Sequence, residues 1–125
     1  MPEKFIGYKK KLGLRGEKVA AKYLQEVEGY KIIVKNYSCP RGEIDLIARD
    51  EKTVVFVEVR SGTLPFAGWA EESIGWRKQK KLRQLASYYF NEKGQEDYVA
   101  RFDVVIILFT ETFNVQKIKL IKNAF

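Results

Sequence analysis

The chain is short and basic. Its 125 residues carry a formal net charge of +7, and 46% are hydrophobic and 14% aromatic, which excludes a disordered chain and is typical of one folded domain over residues 1–125. No apolar run approaches the roughly 20 residues that span a bilayer, and the N-terminus leads into no apolar signal segment. One cysteine, Cys39, and no histidine argue against a disulfide and a zinc site. We therefore expect a cytoplasmic protein in which any bound metal is a hard cation held by oxygen atoms.

The first half of the chain predicts one helix followed by three strands. Apolar residues recur at helical spacing from Gly16 to about Glu28, and Gly29 follows as a stop signal. Extended segments are predicted at residues 30–37, 43–48 and 53–60, with a polar turn at residues 50–52. The last two segments therefore form a predicted β-hairpin.

The second half predicts a long helix between a loop and two further strands. Residues 61–72 contain two glycines and a proline and predict a loop, and a helix follows over residues 73–90. The apolar stripe of this helix is Leu82, Leu85, Ala86 and Tyr89. Residues 102–109 form a strongly apolar strand, and residues 115–121 alternate as an edge strand does. The order of elements predicts a mixed sheet flanked by helices, in the α/β or α+β class.

Two acids inside apolar strands are the most informative feature of the sequence. Asp45 and Glu58 each lie in the middle of a predicted strand. A carboxylate taken out of water costs several kcal/mol unless another group compensates it. When the partners are oxygen ligands, a divalent cation such as Mg²⁺ is a common compensation. The alternative is a buried ion pair, of Glu58 with Arg60 or of Asp45 with Arg41.

Whether the two acids meet depends on the register of the predicted hairpin. Side chains alternate between faces along a strand, so Glu43, Asp45 and Ile47 are expected on one face. One register places Glu58 directly opposite Asp45, and a shift by two residues places it opposite Glu43 and diagonal to Asp45. A shift by one residue places the two acids on opposite faces. The sequence leaves the register open.

Several motifs in a fixed order carry a resemblance to a known family. They are Gly13-Leu14-Arg15-Gly16-Glu17 at the start of a helix, Asn36-Tyr37, Gly42-Glu43-Ile44-Asp45-Leu46-Ile47-Ala48, Val55-Phe56-Val57-Glu58-Val59, Lys78 in the next helix, and Arg101-Phe102-Asp103-Val104-Val105. Over about residues 7–110 the chain resembles the YraN family, also called UPF0102. This uncharacterised family is grouped with the PD-(D/E)XK nucleases and is similar to archaeal Holliday-junction resolvases.

The resemblance implies an α/β, restriction-endonuclease-like fold with an α-β-β-β-α-β core. It also implies that Asp45 and Glu58 bind Mg²⁺ or Mn²⁺, with Glu17 as a further ligand or a water-orienting group. Such a metal lowers the pKa of a bound water and stabilises charge that develops on a phosphate. Glu17 also has a structural explanation, because an acid in a first helical turn favours the helix dipole. Asp103, at the mouth of a strand, has either a role in the site or a structural role.

The implied activity is hydrolysis of DNA phosphodiester bonds, on branched or single-stranded DNA, by a homodimer. One residue departs from the motif, because Arg60 replaces the lysine that follows the glutamate by two positions. Arginine stays protonated and cannot act as a general base. It can still hold a phosphate oxygen or the charge of a transition state. Lys78 is a second candidate for the missing ammonium group.

Basic residues crowd the first half of the second helix: Arg77, Lys78, Lys80, Lys81 and Arg83. Positive charge near a helix N-terminus opposes the dipole, so a nearby phosphate backbone explains it better than helix stability does. The alternative is a solvated charged face. With a pI near 9.5, we expect nucleic acid, DNA first, as the partner, ahead of an anionic membrane surface. Trp69 and Trp76 flank this region and either stack on unpaired bases or cover the core.

Three functions therefore stay open on the sequence. The first is a Mg²⁺-dependent nuclease, and the second is a nucleic-acid-binding module of the same fold in which Arg60 has ended catalysis. The third is an interaction protein whose acids form structural ion pairs.

Overall fold

The computed structural model describes residues 3–64, 68–95 and 99–125, which form two helices, one 3₁₀ turn and five strands. The elements in chain order are α1 (Glu3–Glu26), β1 (Lys31–Cys39), β2 (Gly42–Asp50), β3 (Thr53–Thr63), the 3₁₀ turn (Gly68–Glu71), α2 (Trp76–Lys93), β4 (Val99–Phe109) and β5 (Val115–Ile121). This order confirms the predicted succession of elements and the α/β class. No helix in the described ranges is long and apolar enough to cross a membrane.

The five strands form one mixed sheet in the order β1-β2-β3-β4-β5. Neighbouring strands are antiparallel except β3 and β4, which run parallel. The connection between these two parallel strands contains α2, as parallel neighbours require a crossover. The predicted edge position of β5 is confirmed, and the arrangement is consistent with a restriction-endonuclease-like core.

The two helices cover opposite faces of the sheet. The buried residues of α1 include Leu12, Ala20, Ala21 and Leu24, and they pack with Leu46, Val57, Val105 and Phe109 of the sheet. The predicted stripe of α2 is buried against the other face, together with Phe56 and Phe102. A third cluster lies beside the 3₁₀ turn, where Ala70 and Ile74 cover Val104, Ile106 and Leu108. The sheet that carries Asp45 and Glu58 is therefore covered on both faces.

The predicted start of the first helix was wrong. The helix begins at Glu3 rather than Gly16, because Leu12 packs in the core and stabilises a segment whose two glycines weaken the local helical signal. The helix ends at Glu26, so Val27, inside the predicted range, lies beyond it and is 65% exposed.

The predicted loop after the third strand was too long. Strand β3 continues to Thr63, since its parallel pairing with β4 extends to Thr63↔Phe109. The 3₁₀ turn occupies residues 68–71, and α2 begins at Trp76 rather than Ser73. Pro65, part of the predicted loop, lies outside the described residues.

Candidate metal and nucleic-acid site

The hairpin of β2 and β3 adopts the register that leads Asp45 toward Glu58. Its pairs run from Asp50↔Thr53 to Leu46↔Val57, and the two acids are the next residues on each strand. At this point the side chain of Asp45 takes part in the pairing, because its Oδ2 accepts a hydrogen bond of 2.8 Å from the backbone N–H of Val59. Both acids thus lie at the end of the described ladder, where β2 and β3 separate.

The regular alternation of β2 is interrupted at Asp45. Ile44 and Ile47 both pack in the cluster under α2, whereas Leu46 packs in the cluster under α1. On the neighbouring strand β1, Asn36 has a positive φ of 54°, a conformation that asparagine tolerates better than most residues. The expectation that Glu43, Asp45 and Ile47 share one regular face therefore fails here, because both strands are irregular beside the acid.

A close contact between α1 and β3 brings Glu17 to the same place. A Cβ atom on Gly16 would lie 1.7 Å from Oγ of Ser61, so the helix could not approach this closely with any larger residue. The next residue, Glu17, interacts with Asp45. Burial raises the pKa of Glu17, and the charge of Asp45 and a hydrogen bond from Glu17 to that carboxylate raise it further. Glu17 and Asp45 therefore interact directly in the candidate site.

The two strand acids keep an unfavourable charge interaction. Burial raises the pKa of Asp45, although the Val59 N–H and the charge of Lys78 oppose this shift. Burial also raises the pKa of Glu58, and the negative charge of Asp45 raises it further. The positive charges of Lys78 and Arg60 lower it. Since both pKa values stay above their ordinary values, the cations of the protein do not fully compensate the pair.

The donor set at this position fits a hard divalent cation. Asp45 and Glu58 offer carboxylate oxygens only, and a cation would remove the repulsion that raises the pKa of Glu58. Within the described ranges, no group of three or more acidic, histidine or cysteine side chains is arranged to hold a metal ion. Mg²⁺ commonly binds through one or two carboxylates and completes its shell with water and phosphate oxygens. Asp45 and Glu58 meet that requirement, with Glu17 next to them.

The candidate ammonium group comes from α2 rather than from β3. Nζ of Lys78 lies 3.7 Å from Oε1 of Glu58, and the Lys78 side chain is 49% exposed. Arg60 contributes positive charge near Glu58, but its Nη1 donates a hydrogen bond to the carbonyl of Glu72. Arg60 thus ties β3 to the segment that precedes α2, and Lys78 is a cation that contacts the acid pair and faces solvent.

The other basic residues of α2 form an exposed face next to this contact. Arg77, Lys80 and Lys81 are exposed, and the methylene carbon Cε of Lys81 lies beside Gly42 at the start of β2. Trp76 is 68% exposed, with the Arg77 guanidinium 5.5 Å from its ring centroid. Trp76 does not cover the core, and the side chain of Trp69 lies outside the described part of the chain.

Arg83 has a different role from the other basic residues of α2. Its guanidinium lies 5.3 Å from the ring centroid of Phe102 and 5.4 Å from that of Phe125. These contacts hold the C-terminus against β4 and α2, so Arg83 has a structural role.

Sequence reasoning missed three contributors to the site: Gly16, Ser61 and the backbone N–H of Val59. The signal for Gly16 was a glycine directly before the helix acid Glu17. Ser61 carried no such signal, because its contact with Gly16 joins elements far apart in the chain. The role of the Val59 N–H depends on where the β2–β3 ladder ends, and that position is not written in any local pattern.

Comparisons with known proteins give a consistent family. The model of the Uncharacterised protein family UPF0102 matches residues 16–107. A UPF0102 protein of Pelotomaculum thermopropionicum is 43% identical over 117 residues, which covers 94% of this chain and 97% of that protein. A UPF0102 protein of Desulforamulus reducens is 45% identical over 118 residues, covering 93% and 96%. The matched range contains Glu17, Asp45, Glu58 and Lys78, and the chain therefore belongs to the UPF0102 family.

Proposed function

We propose that this protein is a cytoplasmic nuclease that hydrolyses DNA phosphodiester bonds with the help of Mg²⁺ or Mn²⁺. The observation that carries the proposal is the position of Asp45 and Glu58 at the end of the β2–β3 ladder, with Nζ of Lys78 3.7 Å from Glu58 and with raised pKa values for both acids. Ionisable groups with shifted pKa values are concentrated at functional sites. The similarity to junction resolvases favours branched or single-stranded DNA as the substrate and a homodimer as the active form.

The roles of the residues follow from their positions. Asp45 and Glu58 would hold the cation, which supplies stabilisation of phosphate charge and a more acidic water. Glu17, hydrogen-bonded to Asp45, would orient the attacking water. Lys78, 3.7 Å from Glu58 and facing solvent, would hold a non-bridging oxygen of the scissile phosphate.

The exposed cations of α2 would bind the phosphates on either side of the cleaved bond. Arg77, Lys80 and Lys81 are exposed on the helix that carries Lys78. Contacts of this kind release counterions, so DNA binding should weaken steeply as salt is raised. Trp76 next to Arg77 offers an exposed ring to an unpaired base.

A non-catalytic DNA-binding module is the second candidate function. Arg60 favours it, because arginine stays protonated where the family motif has a lysine that can lose its proton. This candidate keeps the basic face of α2 and predicts salt-sensitive binding without turnover.

The test is cleavage of labelled single-stranded, duplex and four-way-junction DNA with Mg²⁺ or Mn²⁺. Wild type is compared with Asp45→Ala, Glu58→Ala and the control Glu26→Ala, which removes an exposed acid at the end of α1. We expect metal-dependent cleavage that is lost in the first two variants and kept in the control. Salt-sensitive binding without cleavage would favour the second candidate, and cleavage that survives both substitutions would refute the proposed site.

A thermal shift separates both candidates from an ordinary interaction protein. A ligand that binds only the native state raises its stability. Mg²⁺ should therefore raise the melting temperature of wild type but not that of Glu58→Ala. An equal shift in both proteins would show that Mg²⁺ binds elsewhere.

A further inference from the structure

A cavity opens between the first half of α1 and the end of β3. Its volume is about 920 Å³, within the range of small-molecule sites. Its walls include Tyr8, Leu12 and Gly13 of α1 and Ser61, Thr63 and Leu64 from the end of β3. Apart from Ser61, whose contact with Gly16 brings α1 to the site, these residues have no part in the cation site proposed above.

The cavity is continuous with the candidate site. Glu17 and Val59 line it, and the same two residues contact Asp45, Glu17 through its side chain and Val59 through its backbone N–H. A strand whose phosphate lies at Asp45 and Glu58 therefore has this cavity directly beside it.

The walls of the cavity suit a flat, partly polar group. Leu12, Val59 and Leu64 supply apolar surface, and the ring of Tyr8 is 38% exposed. The edge-to-face contact of Tyr8 with Phe113, at 5.4 Å between centroids, and a hydrogen bond between the Tyr8 and Thr63 hydroxyls hold this ring in place. A fixed aromatic ring beside apolar walls is the usual setting for a stacked nucleobase.

One polar feature adds to this match. Lys9 lines the cavity and can pair with a phosphate.

We propose that this cavity binds one unpaired nucleobase of the DNA strand, next to the phosphate held at Asp45 and Glu58. The inference rests on the proposed function and extends it to the substrate. A paired base would have to leave its stack to enter, and this costs least in single-stranded or branched DNA. The cavity would thus select unpaired DNA, while the basic face of α2 binds any phosphate backbone.

Gly13 allows the cavity to be filled from the helix. A Cβ atom added at Gly13 has no atom within 4 Å, and the same holds for Gly7, which is exposed on α1 and does not line the cavity. Because Gly13 lines the cavity, Gly13→Phe should place its ring there, and Gly7→Phe is a matched control for the added ring. Circular dichroism and melting curves verify that both variants fold.

The measurement is the affinity of short single-stranded oligonucleotides in EDTA, where no metal-dependent cleavage occurs. An abasic site is moved along the oligonucleotide one position at a time. Since a stacked base contributes about 1–3 kcal/mol, wild type should lose about 5- to 150-fold in affinity at one position. Gly13→Phe should bind the intact oligonucleotide more weakly than wild type does, and an abasic site at that position should no longer lower its affinity. Gly7→Phe should behave as wild type.

Other outcomes separate this inference from the proposed nuclease. Equal sensitivity at every position, or normal binding by Gly13→Phe, would overturn the base site while leaving cleavage intact. A position-specific effect in a protein that never cleaves would support the base site and refute the nuclease. If Gly13→Phe does not fold, Tyr8→Ala and Tyr8→Phe replace it, because only Tyr8→Phe keeps the ring, and equal behaviour of these two would overturn the inference.

Discussion

Asp45 in β2 and Asp103 in β4 lie on the two strands beside β3, and their surroundings differ in the donors that they provide. Asp103 is 1% exposed, yet it accepts hydrogen bonds from the Tyr30 hydroxyl at 2.9 Å, from Nε of Arg101 at 3.0 Å and from the Asn123 backbone N–H at 3.0 Å. Arg101 also contacts Asp50 at 2.9 Å. Every charge in this network has a partner close by.

The pKa shifts in the two regions reflect this difference. Burial lowers the pKa of Arg101, but its hydrogen bonds to Asp103 and Asp50 outweigh that effect and raise the pKa overall. In the candidate site, burial raises the pKa values of both strand acids despite the nearby lysine, and the charge of Asp45 raises that of Glu58 further. Burial of an acid alone therefore does not mark a functional site. The missing compensation at Asp45 and Glu58 is what supports the proposed function, whereas the partners of Asp103 are those of a structural network.

Asp103→Ala is the largest expected disruption of stability. The substitution leaves the partly buried guanidinium of Arg101 with Asp50 but without Asp103, and it removes the buried acceptor of the Tyr30 hydroxyl. Breaking one side of a buried ion pair costs about 3–5 kcal/mol, and we expect a loss of about 4 kcal/mol in the free energy of unfolding. Urea denaturation measures it, with the exposed Glu26→Ala as the control. A loss no larger than that of the control would show that the network is not structural.

Asp45→Asn should have the opposite effect, with little change in stability and a large loss of cleavage. Asparagine keeps an oxygen that can accept the Val59 N–H but removes the charge that repels Glu58. We expect a free energy of unfolding that is unchanged or about 1 kcal/mol higher, as is typical when a strained functional site is removed. Cleavage should fall by at least about a hundredfold, because electrostatic groups at an active centre contribute this much or more. A stability loss as large as that of Asp103→Ala would contradict the comparison.

Gly16→Ala tests the contact that brings α1 to the site. The new Cβ would lie 1.7 Å from Oγ of Ser61, so the helix must shift, and we expect a loss of about 2 kcal/mol by overpacking. Ser61→Ala alone should be nearly neutral, because its buried hydroxyl has no partner among the described residues. Combined with Gly16→Ala it should recover part of the loss, since the serine oxygen is the closest atom. Strict additivity in a double-mutant cycle would rule out this contact.

Most elements of the fold could be predicted from the sequence because they depend on the local spacing of apolar residues. The alternation of residues 115–121 predicted β5 with its observed bounds, and the stripe from Leu82 to Tyr89 predicted the buried face of α2. The first half of α1 was not readable, since its stability comes from packing of Leu12 against the sheet rather than from helix propensity.

The candidate site was only partly readable for the same reason. The acids Asp45 and Glu58 were conspicuous, because a carboxylate in an apolar strand needs an explanation. The register that joins them, the Val59 N–H that binds Asp45 and the contact of Lys78 with Glu58 all depend on tertiary geometry. Local patterns identified which residues carry charge, but not how the charges are compensated.

A pH series gives the smallest and most specific effect. The ordinary pKa values are 3.8 for Asp45 and 4.5 for Glu58 and Glu17, and all three are raised in the fold. The native state therefore binds these protons more tightly than the unfolded state, so the free energy of unfolding falls as pH rises through the native-state values. This destabilisation is absent at pH values below the ordinary pKa values and complete at pH values above the raised pKa values.

The double variant Asp45→Asn/Glu58→Gln isolates this destabilisation, because two of the three groups no longer titrate. Wild type should lose stability relative to the variant as pH rises above the ordinary pKa values of 3.8 and 4.5, the reverse of what salt-bridged acids produce. Mg²⁺ at millimolar concentration should reverse the loss at the upper end in wild type alone, since a cation between the carboxylates stabilises their charged forms. Parallel pH curves for the two proteins would mean that the acids are compensated as fully as Asp103, and the distinction between the two regions would disappear.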